Sequence, residues 1–186
     1  MKKVTILSGS PSTISKLNEA LKYMMIQLEQ SEVQVEFVSI CGLPAEDLLH
    51  ARYESDSIQT VNALLAESDA VIVGTPVYKG SYSGILKTYL DLLPQKGLEN
   101  KLLLPVAVGG TMAHLLMLEY NLKPLLSVLG GTQIEKGIFI QNTQVIWNEQ
   151  KQGIISEEIT ARLTASIDQF LNKLMKDEAV CSIEVS

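Results

Sequence analysis

Cysteine is scarce in this chain. Cys41 and Cys181 are the only two among 186 residues, and they lie far apart. That excludes a disulfide scaffold, a C-x-x-C redox pair and a structural zinc site. Histidine is equally sparse, with only His50 and His114, and no Ser/His/Asp arrangement or metal cluster can be assembled, so hydrolysis has little support. Positive charge is short too: 15 Lys plus Arg against 21 Asp plus Glu leave a net charge of −6. A basic nucleic-acid footprint and a polybasic membrane-binding face are thereby disfavoured. No apolar run approaches the roughly 20 residues of a membrane span. Met1-Lys2-Lys3 faintly resembles a signal n-region, but Ser8-Gly9-Ser10-Pro11 interrupts any apolar continuation, and a reducing, cytoplasmic setting is expected.

What is abundant is apolar residue. Hydrophobic residues make up 46% against 19% charged, with a mean hydropathy of +0.17, which rules out disorder. A chain of this length folds as one domain and buries roughly 70% of its unfolded surface. The apolar excess requires a core closed on both faces of a sheet, a subunit interface, or both.

The apolar pattern alternates in period. Continuous β-branched or leucine-rich runs at residues 4–7, 33–38, 70–74, 102–108 and 133–140 predict buried strands. Helical spacing predicts helices over 14–28, 58–65, 84–93, 113–129 and 159–174, with a loop from 42 to 56. Five strands alternating with helices predict an α/β fold, a parallel sheet covered on both faces. The domain is expected to span 1–175, and 176–186 to form a tail that frays or adds an edge strand.

In such sheets ligands bind beyond the carboxyl ends of the strands, and three of those ends carry unusual chemistry. After the first strand, Ser8-Gly9-Ser10-Pro11-Ser12-Thr13-Ile14-Ser15-Lys16 leads into a helix. Backbone N–H groups at a helix start, hydroxyls and one lysine suit a phosphate monoester, although the same residues also read as a Ser-rich helix cap. After the third strand, Thr75-Pro76-Val77-Tyr78-Lys79-Gly80-Ser81-Tyr82-Ser83-Gly84 sets two tyrosines among small residues. They suit a flat aromatic ligand, or they pack over apolar surface. After the fourth, Gly109-Gly110-Thr111-Met112-Ala113-His114 pairs glycines that admit a close backbone approach, with His114 either a ligand donor or a structural hydrogen bonder. Together the three loops suit flavin mononucleotide (FMN), and no metal.

At these residues the sequence resembles the NAD(P)H-dependent FMN reductases of the flavodoxin-like superfamily, most closely the reductase component of two-component alkanesulfonate monooxygenases. The resemblance covers nearly all of residues 3–175. It runs through Gly9-Ser10-Pro11, Pro44-Ala45-Glu46-Asp47-Leu48-Leu49-His50-Ala51-Arg52, Thr75-Pro76-Val77-Tyr78-Lys79, Tyr82-Ser83-Gly84-Ile85-Leu86-Lys87-Thr88, Gly109-Gly110-Thr111 and Tyr120-Asn121-Leu122-Lys123-Pro124. It implies a flavodoxin-like five-stranded parallel sheet of order 2-1-3-4-5, and hydride transfer from NADPH or NADH to FMN. Ser10, Ser15 and Lys16 would hold the phosphate. Pro76, Val77, Tyr78, Gly109, Gly110 and Thr111 would border the ring, joined by Tyr82 and His114. No side-chain acid or base is implied, because the cofactors carry the chemistry. Relatives often place an Arg after the first Gly-Ser, where this chain has Ser12 and Thr13.

The fourth predicted helix is apolar nearly all round, apart from Glu119, Lys123 and Ser127. It should be covered twice, by its own sheet and either by a second subunit, giving a dimer or tetramer, or by the C-terminal helix. Pro124 lacks the N–H that would bond the carbonyl of Tyr120, so an irregularity is expected there. By resemblance, Tyr120 belongs to a π-helical insertion at a tetramer interface linked to flavin exchange. The resulting expectation is a reductase that supplies reduced FMN to a monooxygenase acting on an organosulfur substrate. The alternatives are a quinone or azo reductase with tightly bound FMN, and a flavodoxin-type electron carrier.

Overall fold

The computed structural model describes residues 1–150 and 152–181. Strands β1 (Lys3–Ser8), β2 (Gln34–Ser39), β3 (Ala70–Pro76), β4 (Leu102–Gly109), β5 (Gln133–Ile134) and β6 (Ile138–Gln141) build one sheet. Its order is β2-β1-β3-β4-β5, with β6 resuming beside β4, and every pairing is parallel. This is the flavodoxin-like order expected from the sequence. All eight residues of β4 and the first six of β3 are buried, as continuous apolar runs require when helices cover both faces.

Helices α1 (Lys16–Glu29), α2 (Ala45–Leu49), α3 (Asp56–Glu67), α4 (Gly84–Leu90), α5 (Lys123–Val128) and α6 (Glu157–Cys181) flank the sheet. Successive strand residues point to opposite faces, and the core divides accordingly. Ile6, Ile72 and Leu104 pack with Leu17, Leu21 and Met24 of α1 and with Leu163, Ile167 and Phe170 of α6. Leu7, Val71, Val73 and Leu103 pack instead with Ile58 and Leu65 of α3, Leu86 and Tyr89 of α4, and Leu122 and Leu126 of the fourth crossover, between β4 and β5.

Several elements differ from the sequence expectation. The strand predicted over 133–140 is broken at residues 135–137, where Gly137 lies against Leu118: a Cβ there would stand 3.0 Å from Leu118 Cδ1. The loop predicted over 42–56 contains α2, a helix too short to show a period, anchored by buried Leu48. The helix predicted over 84–93 ends at Leu90. Residues 145–155 hold an unanticipated hairpin, β7 (Val145–Trp147) with β8 (Gly153–Ile155). α6 continues to Cys181, so residues 176–181 are helical rather than a tail; residues 182–186 lie outside the described residues.

The segment 113–129 departs most. It begins as a 3-10 turn (Met112–His114), passes into a π-helical turn (Leu118–Leu122) and becomes α-helical only in α5. Lys123 N–H donates to Leu118 O, five residues back. Pro124 occupies the first turn of α5, where a missing N–H is tolerated. The irregularity expected around Tyr120 is therefore this π turn. Met117, Leu118, Leu122 and Leu126 face the core, whereas Leu116 is 58%, Tyr120 74% and Val128 81% exposed. α6 cannot cover that outer face, because it packs on the opposite side of the sheet.

Candidate functional site

The 8–15 loop is shaped by a residue that sequence reasoning missed. Asn18, buried on α1, accepts from Ser8 Oγ at 2.6 Å and donates through Nδ2 to the carbonyls of Ser12 (3.0 Å) and Thr13 (2.9 Å). Its own N–H is capped by Ser15 Oγ at 3.1 Å. With the carbonyls drawn inward, the backbone N–H groups of residues 13 to 17 are left without acceptors among the described residues. They stand at the positive end of the 14-residue helix α1, which favours an anion. An Asn at one position of an amphipathic helix reads as surface; only its partners mark it.

Ser10 is placed differently from a ligand hydroxyl. Its Oγ donates to Ser12 O at 2.8 Å and accepts from Ser12 N at 3.2 Å, so it braces the loop. Ser15 Oγ accepts one bond as the helix cap and keeps its proton. Lys16 Nζ reaches across to Asn142 O at 2.5 Å, beyond the end of β6.

Behind the loop the packing is close. Gly9 N donates to Gly74 O at 2.8 Å, and Ser83 Oγ donates to Gly9 O at 2.6 Å while capping α4 through Leu86 N. Thr75 Oγ1 accepts from Ser83 N at 2.9 Å. The 8–15 loop, the end of β3 and the start of α4 are thus fastened together.

After β3, Val77 N bonds Val108 O at 2.8 Å, and the chain turns sharply at Lys79 and Gly80, whose φ values of 51° and 78° are both left-handed. Tyr78 is 52% exposed beside this turn. A pocket of about 270 Å³ brings Ser10, Ser15 and Lys16 together with Pro76, Val77 and Tyr78. Lys16 is the only charged side chain in its lining, and Ser12, Ile14, Val108 and Asn142 complete the wall that the sequence left unassigned. One cation, unpaired N–H donors and no carboxylate fit a phosphate monoester; the half-buried Pro76 and Val77 with the exposed Tyr78 ring fit a flat heterocycle.

The other expected residues do not line this pocket. Gly110, Thr111 and His114 are exposed on the rim beyond β4, and Tyr82 is half-buried against the apolar core. Gly109 packs closely because it has no Cβ, since that atom would lie 2.7 Å from the Phe139 ring; Gly110 faces open space. A second pocket of about 270 Å³ lies between the β5–β6 break and α6. Of its charged groups, Glu135 is engaged by Lys173 at 2.6 Å and Arg162 by Phe139 O at 3.1 Å.

Comparison with known proteins bears on the fold and the family. Residues 2–145 match the family model described as NADPH-dependent FMN reductase. The chain is 42% identical over 168 residues to an FMN reductase (NADPH) of Pseudomonas putida, covering 90% of this chain and 85% of the relative. It is 40% identical over 173 residues to an FMN reductase (NADPH) of Escherichia coli, covering 92% and 90%. The apo crystal structure of an NADH:FMN oxidoreductase, EMOB, superposes with a TM-score of 0.81 at 30% identity, covering 91% of this chain and 88% of that one.

Proposed function

Because the chain belongs to the NADPH-dependent FMN reductase family and is an NAD(P)H:FMN oxidoreductase, we propose that it releases reduced FMN to a partner monooxygenase of the alkanesulfonate or organosulfur type. The observation that carries this reading is the openness of the rim. Residues 110 to 116 are all exposed on the rim beyond β4, which leaves that side of the single chain open to solvent. A flavin held there by one lysine, a hydroxyl and backbone N–H groups is positioned to leave after reduction.

In this reading Ser15, Lys16 and the N–H groups of residues 13 to 17 hold the phosphate, and Ser10 stiffens their loop. Pro76, Val77 and Tyr78 border the ring, and Gly109, Gly110, Thr111, His114 and Tyr82 flank its open side. FMN supplies the ring that accepts hydride from the reduced nicotinamide. The protein's part is to orient the two rings, and no side chain is assigned a proton. A cytoplasmic setting accords with the free thiol of Cys41. Among the described residues no helix is long and apolar enough to cross a membrane.

The test is anaerobic NADPH oxidation with and without added FMN, alongside the flavin content of the purified protein. Turnover that saturates with added FMN, from protein holding far less than one flavin per chain, is expected. Stoichiometric retained flavin with quinone turnover independent of added FMN would establish the tight-binding alternative. Absence of NADPH oxidation would leave an electron carrier.

Leu116, Tyr120 and Val128 form the outward apolar side of the fourth crossover, and a second copy of the chain is the occupant this reading assigns to it. Tyr120→Ala is expected to weaken the dimer or tetramer in sedimentation and to change flavin retention. Unchanged flavin affinity together with unchanged turnover would sink the link between this tyrosine and exchange.

A further inference from the structure

The hairpin that follows β3 has one fastening at its base and one at its tip. At the base, Val77 N donates to Val108 O. Tyr78 and Ser81 then exchange both backbone bonds, at 2.9 and 3.1 Å, across the left-handed pair Lys79 and Gly80. Two consecutive positive φ values make this a tight two-residue turn. At the tip, Asn121 Nδ2 donates to Gly80 O at 3.2 Å; among the described residues, this is the only hydrogen bond to Lys79 or Gly80 from outside the hairpin.

The donor is set by the π turn. Leu118 and Leu122 are buried, which fixes the turn against the sheet. A π turn contains one residue more than an α turn, and losing it would swing the neighbouring side chains by roughly 100° about the axis. With that residue present, Asn121 meets the hairpin while Tyr120 stands in solvent.

We infer that Asn121 is a positioning residue for flavin binding: its amide holds the Lys79–Gly80 turn so that Pro76, Val77 and Tyr78 keep their place along the pocket. The inference rests on the reading of those three residues as the ring edge. It makes the π turn a determinant of the pocket within a single chain, apart from any contact that Tyr120 makes with a second copy.

Asn121→Asp keeps the side chain's size but turns a carboxylate toward the carbonyl, and Asn121→Leu keeps its branched heavy-atom shape without polarity. Both are compared with the parent protein by fluorescence titration with FMN, steady-state kinetics and thermal denaturation. Loss of one backbone-directed hydrogen bond should raise Kd and KM for FMN about five- to tenfold. Meanwhile kcat should stay within about twofold, since the reacting atoms are untouched. A purely structural role for Asn121 would lower Tm or the active fraction and leave KM unmoved. Gly80→Val, which strains the turn at its φ of 78° directly, separates the role of the turn from the role of the Asn121 amide. FMN binding unchanged in both Asn121 variants but weakened in Gly80→Val would overturn the role of Asn121. FMN binding unchanged in all three would overturn the assignment of the hairpin to the ring edge, and this inference with it.

Discussion

Asn18→Ala should lower FMN affinity more than about tenfold and reduce Tm by roughly 6–12 °C. Three bonds vanish with the side chain: one accepted from Ser8 Oγ and two donated to the carbonyls of Ser12 and Thr13. Ser8 is fully buried and keeps a hydroxyl with no acceptor. Orphaning buried polar groups costs about 1–3 kcal/mol each, and about 3 kcal/mol for the set is a fair expectation, since Ser12 and Thr13 can turn to water. The binding loss has a separate origin: once the two carbonyls are released, the loop that carries the unpaired N–H groups of residues 13 to 17 loses its Asn18 anchor. Asn18→Asp divides the effects, because a carboxylate still accepts from Ser8 but cannot donate to the loop. It should recover part of the stability and little of the affinity. Parent-like FMN titration of Asn18→Ala would refute the role of this residue in shaping the loop.

Gly9→Ala is expected to destabilise by about 3 kcal/mol, a Tm decrease of roughly 6–12 °C, for a single added methyl. The new Cβ would lie 2.7 Å from Leu86 Cβ, 3.1 Å from Gly74 O and 3.2 Å from Ser83 Oγ. None of these is the far end of a flexible side chain, so relief requires moving α4 away from β1 and β3. That movement breaks the Ser83 bond to Gly9 O and displaces the 8–15 loop, so FMN affinity should fall with stability. Circular dichroism melting and flavin titration on the same preparation check both. A Tm within about 2 °C of the parent would show that the junction yields more easily than its contacts indicate.

The sheet was legible because parallel strands buried on both faces are spelled as unbroken apolar runs, as in Ala70-Val71-Ile72-Val73 and Leu102-Leu103-Leu104. α2 and the β7–β8 hairpin were not, since five and three residues are too few to display a period. The break at 135–137 was hidden because Ile134 and Ile138 are apolar on both sides of it, and the residue packed against it, Leu118, is distant in sequence. Pro124 announced that the fourth crossover would be irregular, but a missing donor does not specify a π turn rather than a kink. Within the pocket, Ser15 and Lys16 were legible as polar residues at a helix start, and Pro76, Val77 and Tyr78 as a loop after a buried strand. Asn18 and Asn121 were not, because each acts through its partners' carbonyls and resembles an ordinary surface amide in sequence. At Gly109 a packing requirement went unread: Phe139, thirty residues downstream, fills the space a Cβ would take.

The broken strand beside β4 also bears on how this molecule behaves in company. An open sheet ends in rows of unpaired peptide groups, and a long, flat, apolar edge invites another chain to add itself. Here that edge is divided into a two-residue piece and a four-residue piece, with Glu135, Lys136 and Gly137 between them. The opposite edge, β2, alternates exposed Gln34 and Glu36 with its half-buried residues. On the β5–β6 side a foreign strand therefore finds little continuous ladder to template on, and on the β2 side it meets the charge of Glu36, which an unusually apolar chain assembling slow-forming parallel pairings needs against edge-to-edge association.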